Sequence, residues 1–277
     1  MPDLARKMAR EIEMFVSWWA ASKSAISVEA DLNKAMGKMF TQLADEVIQS
    51  MGNHLSDLNK IQSGSKVKDY IDALKDILFD YMKKAAKEGK VDTAAGLNLT
   101  GETTLTQTTL DALETRAFEA SQATMDRVSG SVMDALSMAY DEGMGIDEAA
   151  AMLRDTVFDG LKTWEAERIA RTEIHAAQGQ TAHAVIDENA DYRQWITAED
   201  DRVRDSHEEM HGQIVCSGDP YSNGLMYPGD MSGDIEEWIN CRCVEVAFEM
   251  PEGMTAPDDL YFYEEDLVDV PVEEAVA

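Results

Sequence analysis

Apolar residues recur every three or four positions through most of the first 140 residues, and this period constrains the fold more than any other feature. On an α-helix such residues lie on one face and can pack against other helices. Small polar residues at 22–27 and 62–65 predict breaks. The sequence therefore predicts a helical region over residues 1–145. Its four apolar stripes are Ile12, Phe15, Val16 and Trp19; Leu32, Met36, Met39, Leu43 and Val47; Val67, Ile71, Leu74, Leu78 and Met82; and Leu110, Leu113, Ala117, Met125, Val128, Val132 and Leu136.

The fourth stripe, at 110–136, is long enough to serve either of two purposes. It can pack inside a helical bundle of the same chain, or it can pair with a helix of another subunit. The sequence leaves both alternatives open. The Thr- and Gly-rich segment before it, residues 91–109, indicates a connecting loop.

The character of the chain changes after residue 190. A helix is predicted to end near 188, and alternating or clustered apolar residues then indicate short strands at 192–196 and 244–248. Glycines and prolines between these strands indicate loops. The predicted fold class is therefore α+β, with the helical region followed by a small loop-rich α+β module at 146–250 and an acidic tail at 251–277.

The charge of the chain excludes several classes of partner. The sequence has 24 Lys and Arg against 54 Asp and Glu, a formal net charge of -30. Such a surface repels phosphate backbones and anionic lipid head groups, so neither nucleic acid nor a membrane is an expected direct partner. The N-terminus lacks the apolar core of a signal peptide, and three cysteines are an odd number. Synthesis in a reducing cytoplasm is expected.

The end of the chain has a composition of its own. After Arg242 the sequence contains no Lys or Arg, while aromatic residues cluster at 261–263. This pattern indicates either a solvated, disordered tail or a docking segment that folds against a surface.

One short motif matches a known catalytic pattern. His207, Glu208 and His211 satisfy the spacing His-Glu-x-x-His, in which two histidines on one helical face bind zinc and the glutamate activates the metal-bound water. A zinc-dependent hydrolase, a peptidase, is therefore the alternative function. The flanking residues are strongly polar and Gly212 follows at once, whereas such enzymes place the motif in a long helix with a buried face. The zinc ion of such an enzyme also needs a third protein ligand. Glu236 or Glu237 could supply it by distance in sequence, but nothing in the sequence singles out either residue.

A second group of residues indicates a metal site without catalysis. Cys241 and Cys243 stand two residues apart at the predicted start of a strand, and zinc binds sulfur and imidazole nitrogen. His207 and His211 are the expected companions, so the candidate ligands are His207, His211, Cys241 and Cys243. The alternative is that the two cysteines are small buried residues in a reducing compartment. Cys216 has no partner by spacing.

Other motifs are absent or structural. The sequence contains no phosphate-binding loop, no dinucleotide fingerprint and no nucleophile elbow. Arg171-Thr172-Glu173 lies within a predicted helix. Its two charged residues could form a buried ion pair that holds this helix against the C-terminal module.

The order of several short motifs resembles the C-terminal region of the bacteriophage Mu F-like minor head proteins. The resemblance covers about 150–248, and the ordered run is more specific than any one motif. The motifs are Ile169-Ala170-Arg171-Thr172-Glu173, then Trp195, then Asp201-Arg202-Val203-Arg204-Asp205-Ser206-His207, then Gly212, then Tyr227-Pro228-Gly229-Asp230, and last Asn240-Cys241-Arg242-Cys243.

This resemblance implies a head-morphogenesis protein that acts in procapsid assembly near the portal, in low copy number, by protein–protein binding. The implied partners are the portal protein, a scaffold or the major capsid protein. The implied location is the procapsid or virion, made in the bacterial host cytoplasm. No enzyme activity is implied. The clustered His, Asp and Cys residues also make a zinc site more plausible.

Overall fold

Helices dominate the computed structural model, which describes residues 2–51, 65–100 and 103–270. Two π-helical segments, Arg154–Phe158 and Leu161–Glu165, lie between the fourth and fifth of the helices named next. The helices are α1 (Pro2–Met51), α2 (Ser65–Gly96), α3 (Gln107–Asp141), α4 (Ile146–Leu153) and α5 (Ala166–Asn189). Together with the small C-terminal sheets described below, they confirm the predicted α+β class.

The predicted break at 22–27 is wrong, because α1 continues through it. Ser22 and Ala25 are fully buried within the helix. Their small size therefore serves close packing against neighbouring elements and does not end the helix. The other predicted break, at 62–65, lies almost entirely outside the described residues.

Two compact units make up the chain, and neither is a consecutive stretch of sequence. The helical unit comprises 28–84 and 105–173. The sheet unit comprises 1–27, 85–104 and 174–277. The boundaries predicted near 145 and 250 assumed consecutive segments, whereas α1, α2 and α5 each contribute to both units.

The helical unit is held together by the apolar stripes that the sequence predicts. The stripe of α3 is buried within this unit, which confirms packing inside a bundle over packing against another subunit. Each fully buried Leu or Met contributes roughly 1.5–3 kcal/mol relative to an exposed position. The largest buried side chains of the unit are Leu32, Met36, Phe40, Leu74, Leu78, Met82, Met125, Leu136, Leu153 and Phe158.

Ion pairs inside the helical unit correct the prediction for Arg171 and Glu173. The carboxylate of Glu173 accepts two hydrogen bonds from Arg116 of α3, at 2.9 and 2.6 Å. Arg171 pairs with Glu29 of α1 at 3.2 Å. Both residues therefore bind helices of their own unit, and the predicted ion pair with the C-terminal module is wrong.

The sheet unit is built around a four-stranded antiparallel sheet in the order β3-β1-β2-β5. Two further strands, β4 and β6, pair separately. Two single-turn helices, α6 (Asp205–Glu208) and α7 (Ile235–Trp238), lie in the connections. The strands are β1 (Tyr192–Ile196), β2 (Ile214–Cys216), β3 (Val244–Phe248), β4 (Met254–Thr255), β5 (Tyr261–Phe262) and β6 (Val268–Asp269).

A bulge shapes the start of β2. The N–H of Trp195 donates to Gln213 O at 2.9 Å, and the N–H of Gly212 donates to Trp195 O at 2.8 Å. Gly212 and Gln213 thus lie opposite the single residue Trp195. Gly212 has φ of 81°, the left-handed conformation that a bulge of this type requires. The bulge turns the chain between α6 and β2, which positions the short helix that carries His207.

Aromatic residues near the C-terminus complete the sheet. Phe262 is buried and pairs with Ile214 of β2, and the hydroxyl of Tyr263 donates to Glu209 O at 2.8 Å. Of the two alternatives for this segment, the disordered tail is wrong as far as Val270, since the segment folds against the chain's own sheet. Residues 271–277 lie outside the described part.

A fully buried arginine joins the sheet to the long loop after β2. Arg193 Nη1 donates to Glu245 Oε1 at 2.7 Å and to Met226 O at 2.6 Å, while Nη2 donates to Asp219 O. The hydroxyl of Tyr221 donates to the same Glu245 oxygen at 3.0 Å. A buried charge needs such partners to offset its desolvation. The network therefore holds a loop that has little regular structure of its own.

The Tyr227-Pro228-Gly229-Asp230 turn packs closely on α5. A side chain at Gly179 would lie 2.8 Å from the carbonyl oxygen of Pro228, and Gly229 has φ of 86°. The Asp230 carboxylate accepts the N–H groups of Met226 and Ser232, at 3.0 and 2.9 Å. The backbone of the turn can approach α5 this closely because Gly179 and Gly229 both lack a side chain.

None of the helices in the described part of the chain has both the length and the apolar character of a membrane span.

Candidate metal centre

Two short turns bring the candidate ligands of the sheet unit together. His207 lies on α6, whose backbone is preceded by an extended Arg204. After α7, Asn240 adopts φ of 58°, a left-handed conformation that asparagine tolerates better than most residues. This bend redirects the chain so that both Cys241 and Cys243, before β3, direct their sulfur atoms toward His207.

The three residues lie close enough together to share a metal ion. His207 Nδ1 lies 3.7 Å from Cys241 Sγ and 3.4 Å from Cys243 Sγ, and all three ligand atoms lie within 4.8 Å of one another. Zinc–sulfur distances near 2.3 Å and zinc–nitrogen distances near 2.0–2.1 Å place tetrahedral ligands about 3.5–3.8 Å apart. This His/Cys/Cys cluster could therefore hold a metal ion.

The orientation of the His207 ring is set by its second nitrogen. Nε2 lies 2.9 Å from Glu237 Oε2, so a proton on Nε2 leaves the Nδ1 lone pair facing the two sulfur atoms. The edge of the ring also contacts Trp195, with 5.0 Å between ring centroids. A carboxylate behind a metal-binding histidine fixes the ring and raises its basicity. Glu237 thus orients the His207 ring and is not part of the group of ligand atoms.

The two thiols are poised to bind a cation. Burial and the neighbouring Cys241 raise the pKa of Cys243, whereas the hydrogen bond from Cys243 and the contact with His207 lower the pKa of Cys241 well below its ordinary value. Both thiols lie in a buried, apolar space that includes Met210 and Val215. A metal ion would bind them as thiolates, with release of their protons.

Two arginines hold the loops that carry the cluster. Arg204 donates to Ile239 O at 2.6 Å and to Glu236 O, which joins the turn before α6 to the end of α7. Arg242, between the two cysteines, pairs with Asp200 through both of its terminal nitrogens. This pairing lowers the pKa of Asp200 well below its usual range. The residues around the cluster are thus fixed by charge-assisted hydrogen bonds.

His211, the fourth predicted ligand, lies apart from the other three. Its Nδ1 accepts hydrogen bonds from the N–H of Thr197, at 3.2 Å, and from the Thr197 hydroxyl, at 2.9 Å. Its Nε2 lies 3.6 Å from Glu199 Oε1. Among the described residues, the cluster of ligand atoms consists of His207, Cys241 and Cys243.

The histidine pair of the peptidase motif is therefore not assembled. Helix α6 ends at Glu208, so His207 and His211 do not share a helical face. The ring nitrogens of His211 face Thr197 and Glu199, and His207 directs Nδ1 toward sulfur. The polar flanks and Gly212, which favour a turn over a long helix, explain this difference.

Comparison with protein families agrees with the ordered motifs. Residues 130–246 match the family model described as Phage Mu protein F like protein. The chain carries a Mu F-like region. The resemblance inferred from the sequence is confirmed, and the matched region begins earlier than the 150–248 estimated from motifs. No match is found among curated proteins or among solved structures.

The Mu F-like region contains the whole metal cluster and most of the sheet that supports it. It includes Arg193, Glu245 and the Tyr227–Asp230 turn. Most of the motifs that carried the resemblance lie around this cluster, and they supply His207, Cys241 and Cys243 and the arginines that hold their loops. The motif at 169–173 instead belongs to the helical unit. The family is a structural phage protein family, not known for catalysis.

Proposed function

We propose that this chain is a minor head protein that acts in procapsid assembly near the portal, by protein–protein binding. The Mu F-like region supports a role in the phage head. The observation that carries the binding mechanism is an apolar stripe on the outer face of α1. Catalysis has no part in this proposal.

The stripe consists of Ile12, Phe15, Val16 and Trp19, which are between 51% and 61% exposed. These residues lie at helical spacing, so their side chains form one continuous surface. The opposite face of α1 is already occupied within the sheet unit, where Gln178 Nε2 donates to Ala21 O at 2.7 Å. Beside the stripe, Trp18 Nε1 donates to Arg242 O at 2.9 Å. Large apolar residues clustered on a surface mark binding sites for proteins.

Local charge also favours this face. Residues 1–27 contain four Lys and Arg against three Asp and Glu, a net charge of +1 in a chain whose total is -30. A partner can approach this helix without the repulsion that the remaining surface exerts on acidic proteins. The exposed stripe therefore fits an amphipathic helix or an apolar groove on the portal, scaffold or major capsid protein.

The metal cluster has a supporting role in this proposal. Zinc at His207, Cys241 and Cys243 would join α6 to the start of β3 and stabilise a small, loop-rich unit that has a limited apolar core.

Metal analysis of the full chain purified with zinc should find one ion per molecule. Cys243→Ser should lose it, and Cys216→Ser, at a free exposed cysteine, should retain it. Absence of bound zinc from the unaltered chain would contradict this role.

The assembly role is tested by co-elution of the full chain with the portal protein encoded beside it, at physiological salt. A stable complex of defined ratio is expected. The double variant Phe15→Ser, Trp19→Ser should weaken it at least tenfold without lowering thermal stability, because both side chains are already exposed. Tyr140→Ser is the control, since Tyr140 is 75% exposed and lies in the helical unit. Failure to bind portal, scaffold and major capsid protein would overturn the proposal.

A further inference from the structure

The outer edge of β3 is the side of this strand that faces away from β1. In the order β3-β1-β2-β5, β3 has a strand on one side only. Within the described part of the chain, no hydrogen bond reaches the backbone N–H or C=O of Glu245 or Ala247 on the other side. Helix α1 makes a hydrogen bond just before the strand begins, where Trp18 Nε1 donates to Arg242 O. Such an edge is a template for another extended chain.

The direction of these backbone groups follows from the ladder. Both the N–H and the C=O of Trp195 bind the start of β2, through Gln213 and Gly212. Glu245 lies directly opposite Trp195 in the pairing of β1 with β3. Backbone groups of an antiparallel pair alternate between the two sides of each strand. The N–H and C=O of Glu245, and of Ala247 two residues later, therefore point away from β1.

These groups face a cavity of about 430 Å³. Its other walls are α1, the C-terminal end of α2 and α5, and small residues there leave space: Ala20, Ala21, Gly96 and Ala182. The volume falls within the roughly 300–1,000 Å³ typical of ligand sites. A strand of three residues is about 10 Å long, which suits the distance spanned by Glu245 and Ala247.

Hydrogen bonds keep the three helices around this cavity in place. Gln178 Nε2 of α5 donates to Ala21 O of α1 at 2.7 Å, and Thr181 Oγ1 donates to Ala86 O of α2 at 2.9 Å. Both polar side chains are buried. Because these contacts tie α5 to both neighbours, the helices do not close over the edge of β3.

We propose that this groove binds an extended peptide segment of a partner protein, which adds a strand to the outer edge of β3. A row of alternating backbone donors and acceptors is satisfied by another extended backbone, and small walls leave room for its side chains. Apart from Glu245, whose carboxylate binds Arg193, the acidic residues lining the groove are Asp92 and Glu249, against Lys23. The segment is therefore basic. This site is separate from the outer stripe of α1.

The test uses fluorescence anisotropy with the full chain and one defined probe, a labelled acetyl-Lys-Val-Thr-Val-Thr-Lys-amide. Its control is the same peptide with N-methyl groups on the four central amides, which keeps the side chains and removes backbone pairing. Saturable binding is expected for the probe, and binding at least tenfold weaker for the methylated peptide.

A protein variant tests the same contact from the other side. Ala247→Pro removes an N–H that points away from β1, a position where an edge strand accommodates proline. It should weaken probe binding at least tenfold while leaving the thermal unfolding temperature within a few degrees. Phe15→Ser, Trp19→Ser, which alters the outer face of α1, should bind the probe normally. Equal binding of both peptides, unchanged binding by a folded Ala247→Pro, or no saturable binding below about 1 mM would overturn the proposal.

Discussion

The two compact units each bury an arginine–glutamate pair, but they use it differently. In the helical unit, Arg116 remains about a quarter exposed and binds the buried Glu173, on a scaffold already held by apolar stripes. In the sheet unit, both Arg193 and Glu245 are almost completely buried, and the pair also holds loop carbonyls, a tyrosine and a histidine. The first pair adds to an existing core, whereas the second forms part of the core.

This difference shows how each unit obtains its stability. Long helices satisfy their own backbone hydrogen bonds and need only bury one face. A small sheet with long loops leaves backbone carbonyls that must be satisfied by side chains, and it has less apolar surface to bury. Charged side chains and the candidate metal cluster fill that need in the sheet unit. We therefore expect the sheet unit to be the more sensitive of the two to polar substitutions.

The largest effect should come from the metal cluster. In the zinc-loaded chain, Cys241→Ser should lower the free energy of unfolding of the sheet unit by on the order of 5 kcal/mol or more, because metal-binding energy is folding energy. Hydrogen exchange should show lost protection over 192–248 and retained protection over 113–136. Equal loss in both segments would mean that the two units do not differ in this way.

Removal of the buried arginine should have the next largest effect. Arg193→Met leaves Glu245 buried without its ion-pair partner and should cost about 3–5 kcal/mol in urea-induced unfolding. The matched change Arg116→Met should cost less, since burial already raises the pKa of Glu173 and this carboxyl can take up a proton once unpaired. Similar losses in the free energy of unfolding for the two variants would show that the two units do not depend differently on their ion pairs.

A core substitution in the helical unit tests whether a loss of stability there leaves the sheet unit unchanged. Leu136→Ala, at a fully buried position of α3, should cost roughly 2–5 kcal/mol through lost burial and the cavity left behind. Zinc content should not change, because the ligands belong to the sheet unit. Metal analysis and urea unfolding of the same preparation provide both measurements, and loss of zinc would show that the units are more strongly coupled than we propose.

The smallest effect should come from a surface ion pair of the sheet unit. Arg242 holds the pKa of Asp200 below its usual range, so this carboxylate stabilises the fold above the unfolded pKa near 3.9 and the stabilisation is lost as pH falls through the folded pKa. Asp200→Asn should cost about 1 kcal/mol or less at pH 7. The difference in stability between the two proteins should begin to shrink as pH falls below about 3.9, and it should keep shrinking at lower pH as the folded carboxylate takes up its proton. A difference that stays constant with pH would exclude the ion pair as its cause.

The sequence by itself predicted the apolar stripes of α2 and α3 and three residues that the fold brings together, His207, Cys241 and Cys243. It did not determine the helix bounds, since α1 continues through the break predicted at 22–27. Helical period depends on residues three and four apart, so the stripes of α2 and α3 could be identified without tertiary information. Cys241 and Cys243 were recognisable from their spacing, and the order of motifs located the Mu F-like region. These signals are local, or depend on the order of local signals.

Tertiary structure alone decided which faces are buried and which groups meet. The stripe at Ile12 to Trp19 has the same period as the buried stripes, yet it lies on the surface because the opposite face of α1 packs in the sheet unit. Glu237 behind His207 had no spacing signal, since 30 residues separate it from the histidine it orients. Contacts across such distances arise from the path of the loops, which local periodicity does not specify.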